Sequence, residues 1–499
     1  MKNFSFRKKD DEYFNTDHLK GDIKGRSVRG GAITMGAQIL KFSLNLISNV
    51  VLARLLTPED YGLIGMVTAV IGFVSLFKDL GLSMATVQKE KINHEQVSTL
   101  FWVNVALSVF AALLASALAP GIAWFYHEPR LIWITLALVS GFIFSGLGVQ
   151  HNALLNRQMH YKALMLNDVI SMFLGVIAAI IAALCGLGYW SLVIFPIVLG
   201  LVNTIGLWMA CSWRPSAPAW QSGIGSMLAF GGNLTGFTAI NYFARNLDNV
   251  LIGRFWGTQQ LGLYAKAYQL LLLPINQINA PITAVAIPGL SRLQHDPQKF
   301  RQYYLKAISV IAFLTMPTIV FMIVASEEII VFLLGYQWRD ASIIFRLLSI
   351  SALVQPICNT TGWLYISRGR TDYMFRWGLL SSSWLVTSFF IGLPYQAFGV
   401  ALSYAIAMLL QAVPCIYFAT RGTPITILDV LQAIKEVFIS SVVASIVVLG
   451  IKISIGNSLP LWAMLIIYSV VMSVVYFGLL FYIFKMKNYY LNLFKELKK

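Results

Sequence analysis

Charged side chains are scarce in this chain, and so are cysteines. Asp, Glu, Lys and Arg together make up 12% of the 499 residues, about half the share of an average soluble protein. That leaves too little polar surface to cover several soluble domains. It excludes a large soluble catalytic domain, since the longest polar stretch is the N-terminal segment, residues 1–29. Acids are scarcer than bases, 21 against 37. The four cysteines, Cys185, Cys211, Cys358 and Cys415, lie far apart in or beside apolar runs. No CxxC or Cys/His metal spacing occurs, so neither a disulfide framework nor a zinc site is expected. The cysteines read as small packing residues. Residues 1–29 also lack the apolar core of a cleavable signal. The first hydrophobic helix is therefore expected to direct membrane insertion and to be retained.

What the chain has in abundance is long apolar runs. Hydrophobic residues make up 58% and mean hydropathy is +0.71. A membrane span needs about 20 apolar residues. Fourteen candidates follow one another, at approximately 30–54, 62–87, 98–126, 131–153, 162–185, 189–213, 225–253, 261–288, 303–326, 341–367, 373–393, 397–420, 432–455 and 460–484. The backbone in lipid must satisfy its own hydrogen bonds, and these runs are too long and uniform for barrel strands. The fold class is thus all-α, a polytopic membrane protein.

The basic residues alternate in position. Eight lie in residues 1–29, five after residue 484, and most others in every second loop. The remaining loops hold only Arg54, Arg130, Arg254 and Arg339. By the positive-inside rule both termini are cytoplasmic. The net charge of +16 is then a topological signal and an attraction to anionic lipid, and no nucleic-acid partner is expected.

An internal repeat is visible at an offset of 200 residues. LARLLTPEDYGLIGM (52–66) aligns without gaps to IGRFWGTQQLGLYAK (252–266), matching Asn49/Asn249, Val50/Val250, Arg54/Arg254, Gly62/Gly262 and Leu63/Leu263. Each copy ends the first span of a six-span block. An even block keeps its partner on the same side, which predicts two parallel six-helix lobes with a site between them. The expected organisation is a tail (1–29), an N-lobe (30–213), a Pro-bearing linker (214–224), a C-lobe (225–421), an extra helix pair (422–485) and a second tail (486–499).

These segments, with DLGLSMATVQ (79–88), ARNLDNVLIGRFWGTQQLGLYAKAYQL (244–270) and IPGLSRLQ (287–294), resemble the polysaccharide-transporter family of bacterial exporters. That family belongs to the multidrug/oligosaccharidyl-lipid/polysaccharide exporter superfamily. The likeness is strongest to colanic-acid and lipopolysaccharide-type exporters and covers residues 20–485. It implies two six-helix lobes, a central cavity and alternating access in the bacterial inner membrane. It implies an undecaprenyl-pyrophosphate-linked oligosaccharide as substrate, with membrane lipids and other polysaccharide-assembly proteins as partners. Smaller members have twelve spans, which leaves the role of the extra pair open.

Charges inside a span are costly and normally face protein or water. The cations so placed are Lys41, Arg245, Lys266 and Arg346. Lys41, Asn45 and Asn49 fall on one helical face, and Asn241, Arg245 and Asn249 repeat the spacing. Two matched polar stripes, each with one cation, suit a pyrophosphate and sugar hydroxyls. The competing reading is helix–helix hydrogen bonding. Gln269 follows Lys266 in the eighth span, ahead of Pro274 and Pro281, which either bend that helix for access switching or shape it for packing. Asp248 and Asp168 are candidate H⁺ or Na⁺ coupling sites; Asp248 alternatively pairs with Arg245, and Asp168 alternatively serves as a structural partner. Lys78, Asp79 and Lys452 are expected to snorkel to an interface. Glu59 and Asp60 read as first-turn acids behind a Thr57 N-cap and Pro58.

The expected function is a lipid-linked oligosaccharide flippase without a cofactor or a bound metal. A cation-coupled drug exporter would need more deep acids than this chain carries. A membrane polymerase or ligase would need a large external loop bearing acids or His, and the external loops here are short.

Overall fold

The computed structural model describes residues 14, 23–76, 82–89, 92–219, 225–456 and 458–497. Every regular element among them is helical. By contacts the chain divides into two compact units, Met1–Gln259 and Gln260–Lys499.

The first unit holds α1 (Ile23–Leu55), α2 (Pro58–Ser75), the short α3 (Leu82–Gln88), α4 (His94–Tyr126), α5 (Arg130–Arg157), α6 (Tyr161–Leu184) and α7 (Trp190–Ala210). It also holds the start of a long helix, α8 (Gly225–Arg292). The second unit continues α8 and adds α9 (Pro297–Val324), α10 (Ser326–Leu334), α11 (Ala341–Ala352) and α12 (Gln355–Ser367). It ends with α13 (Thr371–Gly392), α14 (Gln396–Thr420), α15 (Ile427–Ile455), α16 (Leu461–Gly478) and α17 (Lys487–Leu497). The expected apolar runs coincide with these helices where they are described; the second, 62–87, includes residues 77–81, which lie outside the described residues. Among the described residues, eleven helical stretches are long and apolar enough to span a membrane. One of them, Thr371–Thr420, contains both α13 and α14.

Local sequence explains where helices start. Thr57 caps α2 in a capping box: its hydroxyl accepts from the Asp60 N–H at 3.3 Å and the Asp60 carboxylate accepts from the Thr57 N–H at 2.8 Å. Pro58 sits at the first turn, where no N–H partner is needed. The first-turn acids thus act as the sequence suggests. Thr426 and Asp429 repeat the device at α15.

The repeat has a structural meaning. Two hundred residues after Thr57, the backbone of α8 breaks at Gly257, with φ 78° and ψ −172°. Both copies interrupt the helix at the same register, one with a capped new helix and one with glycine in a region closed to L side chains. Gly62, in the first copy, lies so close to Thr258 that a Cβ there would overlap the Thr258 carbonyl. Among the described residues of α8, non-helical backbone occurs at Gly257 and not at Pro274, Pro281 or Pro288. The break therefore separates the seventh span from the eighth, and the prolines of the eighth keep helical backbone. The tenth span does break before its proline, into α11 and α12 ahead of Pro356.

Packing follows membrane logic. On α4, Phe110 and Leu113 are 64% and 65% exposed, while Asn104, Ser108, Ala111, Ala112, Ala115 and Ala119 are buried. Small and polar groups line the helix contacts and large apolar ones face lipid. Trp124 and Trp133 project outward near the ends of α4 and α5, as interfacial anchors do. The linker residues up to Ala219 are extended and strapped to α4: the Ser216 and Ala219 N–H groups donate to the Ser98 and Thr99 hydroxyls.

Among the described residues, an extensive apolar core lies in the second unit. It joins Phe300, Tyr304, Ile308 and Phe313 of α9 to Val437, Ala444, Met464, Tyr468 and Tyr476 of α15 and α16. The last two spans therefore share a core with α9. Lys452, expected to snorkel to an interface, lies in the last turn of α15, is 24% exposed, and bonds Glu328 at 2.8 Å and the Val324 carbonyl at 3.1 Å. Glu328 is 5% exposed, so the ammonium neutralises a buried carboxylate. Lys78 and Asp79 lie outside the described residues.

Candidate functional site

The polar stripe of α1 is built. Its apolar periodicity turns Lys41, Asn45 and Asn49 to one side, and all three are half-buried. The Asn49 amide donates to the Asn45 side-chain carbonyl at 2.6 Å and to its backbone carbonyl at 2.9 Å. Lys41 does not stand alone: its ammonium lies 2.8 Å from Asp168 of α6, with the two side chains 31% and 28% exposed. Asp168 also accepts from the Asn203 amide of α7 at 3.2 Å. The Asn167 amide donates to the Asn203 backbone carbonyl at 3.0 Å. An ion pair and two interhelical amide hydrogen bonds thus link α1, α6 and α7.

The matched stripe on α8 is less uniform. Arg245 is exposed and Asp248 is 4% exposed. The Asp248 carboxylate accepts from the Asn249 N–H at 2.8 Å. Both residues are described, and an Arg245–Asp248 ion pair is not among their contacts. The Asn249 carbonyl oxygen is buried without a hydrogen-bond partner. The helix at Asn241 is described but its side chain is not, so that position lies outside the described side chains. One turn before Asn246, the Tyr242 hydroxyl donates to the Thr68 carbonyl at 3.1 Å, which lays this part of α8 along α2.

In the second unit Lys266 is 3% exposed and Gln269 is exposed. Near Lys266, Tyr264 and Tyr268 stack, and Tyr268 meets Tyr404 edge-on at 6.3 Å. Arg346 is half-buried and donates to the Ser326 hydroxyl at 2.9 Å. Buried oxygens of Asn279 and Gln355 lack partners.

Arg130, Arg339 and Arg254, expected on the outer side, have local partners. Arg130 bonds Glu59 at 2.7 Å and Glu128 at 2.8 Å; its guanidinium holds the Glu128 carboxyl below the usual carboxylate range. Arg339 bonds Glu327 at 2.8 Å, and Arg254 contacts the His127 ring nitrogen at 3.0 Å. On the other side, Arg157, Arg214, Arg368 and Arg370 donate to backbone carbonyls, including those of Lys89, Cys211, Gly422 and Arg421.

Sequence reasoning missed Asn203 and Asn167. A signal existed, since an Asn within an apolar run requires a partner. It also passed over a buried cluster of Asn104, Ser108, Gln150 and His151, all at most 1% exposed and each with a polar atom lacking a partner. Among the described residues, no group of three His, Cys, Asp or Glu is placed to hold a metal ion.

A multi-pass helical bundle whose spans carry matched charges and amides defines a membrane protein that handles polar matter within the bilayer. The chain belongs to the polysaccharide biosynthesis protein family, whose model matches residues 51–343. It is 23% identical over 398 residues to the lipopolysaccharide biosynthesis protein WzxC of Escherichia coli K12, covering 78% of this chain and 80% of that one. It is 26% identical over 340 residues to the succinoglycan biosynthesis transport protein ExoT of Rhizobium meliloti, covering 68% and 69%. The fold resembles that of the lipid II flippase MurJ in its inward closed conformation, with a TM-score of 0.73, 16% identity, and 92% and 99% of the two chains covered.

Proposed function

We propose that this protein is a flippase that moves undecaprenyl-pyrophosphate-linked oligosaccharide from the inner to the outer leaflet of the bacterial cytoplasmic membrane. It serves surface-polysaccharide assembly and is a transporter, not an enzyme. Family membership and the relatives named for polysaccharide biosynthesis and transport support this reading. The observation that carries it is the half-buried Lys41–Asp168 pair with its amides. A pair of this kind facing lipid would be costly, so it belongs against a wet space that a polar head group can enter.

The chemistry follows from the pair. A pyrophosphate competes with Asp168 for the Lys41 ammonium and brings more negative charge. Asp168, displaced, then takes up H⁺ or Na⁺. Arg245, exposed on α8, is a second cation for the head group, and the Asn45 and Asn49 amides suit sugar hydroxyls. The polyprenyl tail stays in lipid. Substrate shifts the inward–outward equilibrium only through different affinity for the two states, so net export draws on an ion gradient or on consumption of product outside. Both termini are cytoplasmic in this reading, because the basic residues gather on that side. Other polysaccharide-assembly proteins are its partners.

The test combines binding and transport. Native mass spectrometry of gently extracted protein should find a polyprenyl pyrophosphate carrying sugars. Lys41→Glu and Arg245→Glu should each abolish transport while inserting normally. Wild-type transport in both variants would sink the proposal.

A further inference from the structure

We propose that the groove between α9 and the residue 258–292 part of α8 is a binding site for an anionic glycerophospholipid of the inner leaflet. This inference does not depend on the glycan reading. The groove encloses about 550 Å³, within the roughly 300–1,000 Å³ of small-molecule sites. Its chemistry changes along its length. Away from the connecting loop it is lined by Pro281, Ile282 and Val285 of α8 and Val310 of α9. Towards the loop it is lined by Lys299 and Lys306.

Two further features fit a lipid. Lys299 and Lys306 are seven residues apart, so they share one face of α9 about two turns apart. Lysine side chains carry their charge on a flexible apolar stem toward the helix N-terminus. Between them, the Tyr303 hydroxyl donates to the Val285 carbonyl at 3.4 Å across the groove. The tyrosine thus spans from the lysine-bearing face of α9 to the apolar face of α8. A phosphodiester fits the cationic end and an acyl chain the apolar end.

Arg301 is committed to Asp429 through two hydrogen bonds. Lys299 pairs with Asp296 at 2.9 Å, with side chains 71% and 41% exposed. An exposed pair of that kind is weak and yields to a phosphate. Basic residues place this end of α9 on the cytoplasmic side, where basic pockets between spans take anionic head groups.

The test uses the full chain in phosphatidylglycerol and phosphatidylcholine nanodiscs, with bound lipid read by native mass spectrometry after extraction. Wild type should retain phosphatidylglycerol over phosphatidylcholine. The Lys299→Gln/Lys306→Gln double variant should weaken that retention about thirty-fold, as two interfacial lysines imply. Val285→Trp should block it by filling the groove without changing charge. Gel filtration and circular dichroism confirm that each variant is folded. Equal retention of the two lipids by wild type, or unchanged phosphatidylglycerol retention in both variants, overturns the proposal. So does displacement of phosphatidylglycerol by equimolar polyprenyl pyrophosphate, which would assign the groove to that lipid.

Discussion

Among the described residues, two lysine–carboxylate pairs join helices, Lys41–Asp168 and Lys452–Glu328, and they are built differently. In the first unit Lys41 and Asp168 are 31% and 28% exposed and are surrounded by amides. The apolar cluster nearest α1 is small, centred on Leu52, Leu56 and Ala179. In the second unit Lys452 and Glu328 are 24% and 7% exposed, and the ammonium is also held by the Val324 carbonyl. This second pair ties α15 to the ends of α9 and α10, beside the core that α9 shares with α15 and α16. The same chemistry therefore serves two ends. A pair whose two charges are both part-exposed among polar neighbours can change partners. A pair whose carboxylate is buried holds helices together, because removing the ammonium leaves that charge uncompensated.

The largest effect should come from breaking the pair with the buried carboxylate. Lys452→Met leaves the buried Glu328 carboxylate without its partner and should cost about 3–5 kcal/mol, seen as a large fall in thermal stability in detergent. The double change Glu328→Leu/Lys452→Met should recover most of that loss; no recovery would mean that the pair does more than fasten helices. Next in size is the half-buried pair. Asp168→Asn should cut transport at least about tenfold, since the released proton or ion acceptor is lost, while costing only about 1 kcal/mol of stability. A stability loss as large as that of Lys452→Met would erase the difference between the two pairs.

Smaller still is Asn203→Ala, which removes one hydrogen bond to Asp168. Interhelical bonds of this kind are worth about 0.6 kcal/mol, and a melting shift within a few degrees is expected. The smallest effect involves a third pair, outside the spans. Arg130 holds the Glu128 carboxyl below its ordinary range. Its contribution is therefore present above the unfolded value of about 4.3 and is lost as pH falls through the lower folded value. Glu128→Gln should flatten only the acid limb of a stability–pH curve measured below about pH 4.5. A change in the slope of the curve near neutral pH would contradict it.

Much of the fold was legible in the chain. The apolar runs located the spans because lipid demands about twenty apolar residues in a helix. Thr57-Pro58-Glu59-Asp60 announced its cap because capping uses side chains within one turn. The repeat located a shared interruption, at Thr57 and Gly257. Other features were not legible. The prolines of α8 suggested bends, yet non-helical backbone came at Gly257. Lys452 was expected to reach an interface, and its partner Glu328 was overlooked. Lys41 and Asp168 were assigned separate roles although they touch.

The sequence by itself determined the membrane class, the helices, their caps and the family. These depend on hydropathy and on interactions within a turn or two. Only the tertiary structure decided which intramembrane charges are neutralised and by what. Asp168 is 127 residues from Lys41 and Glu328 is 124 residues from Lys452. Such pairings depend on how each helix rotates and docks against its neighbours, and no local pattern carries that information. The same docking placed the last two spans in one core with α9, where composition alone showed only two more apolar runs.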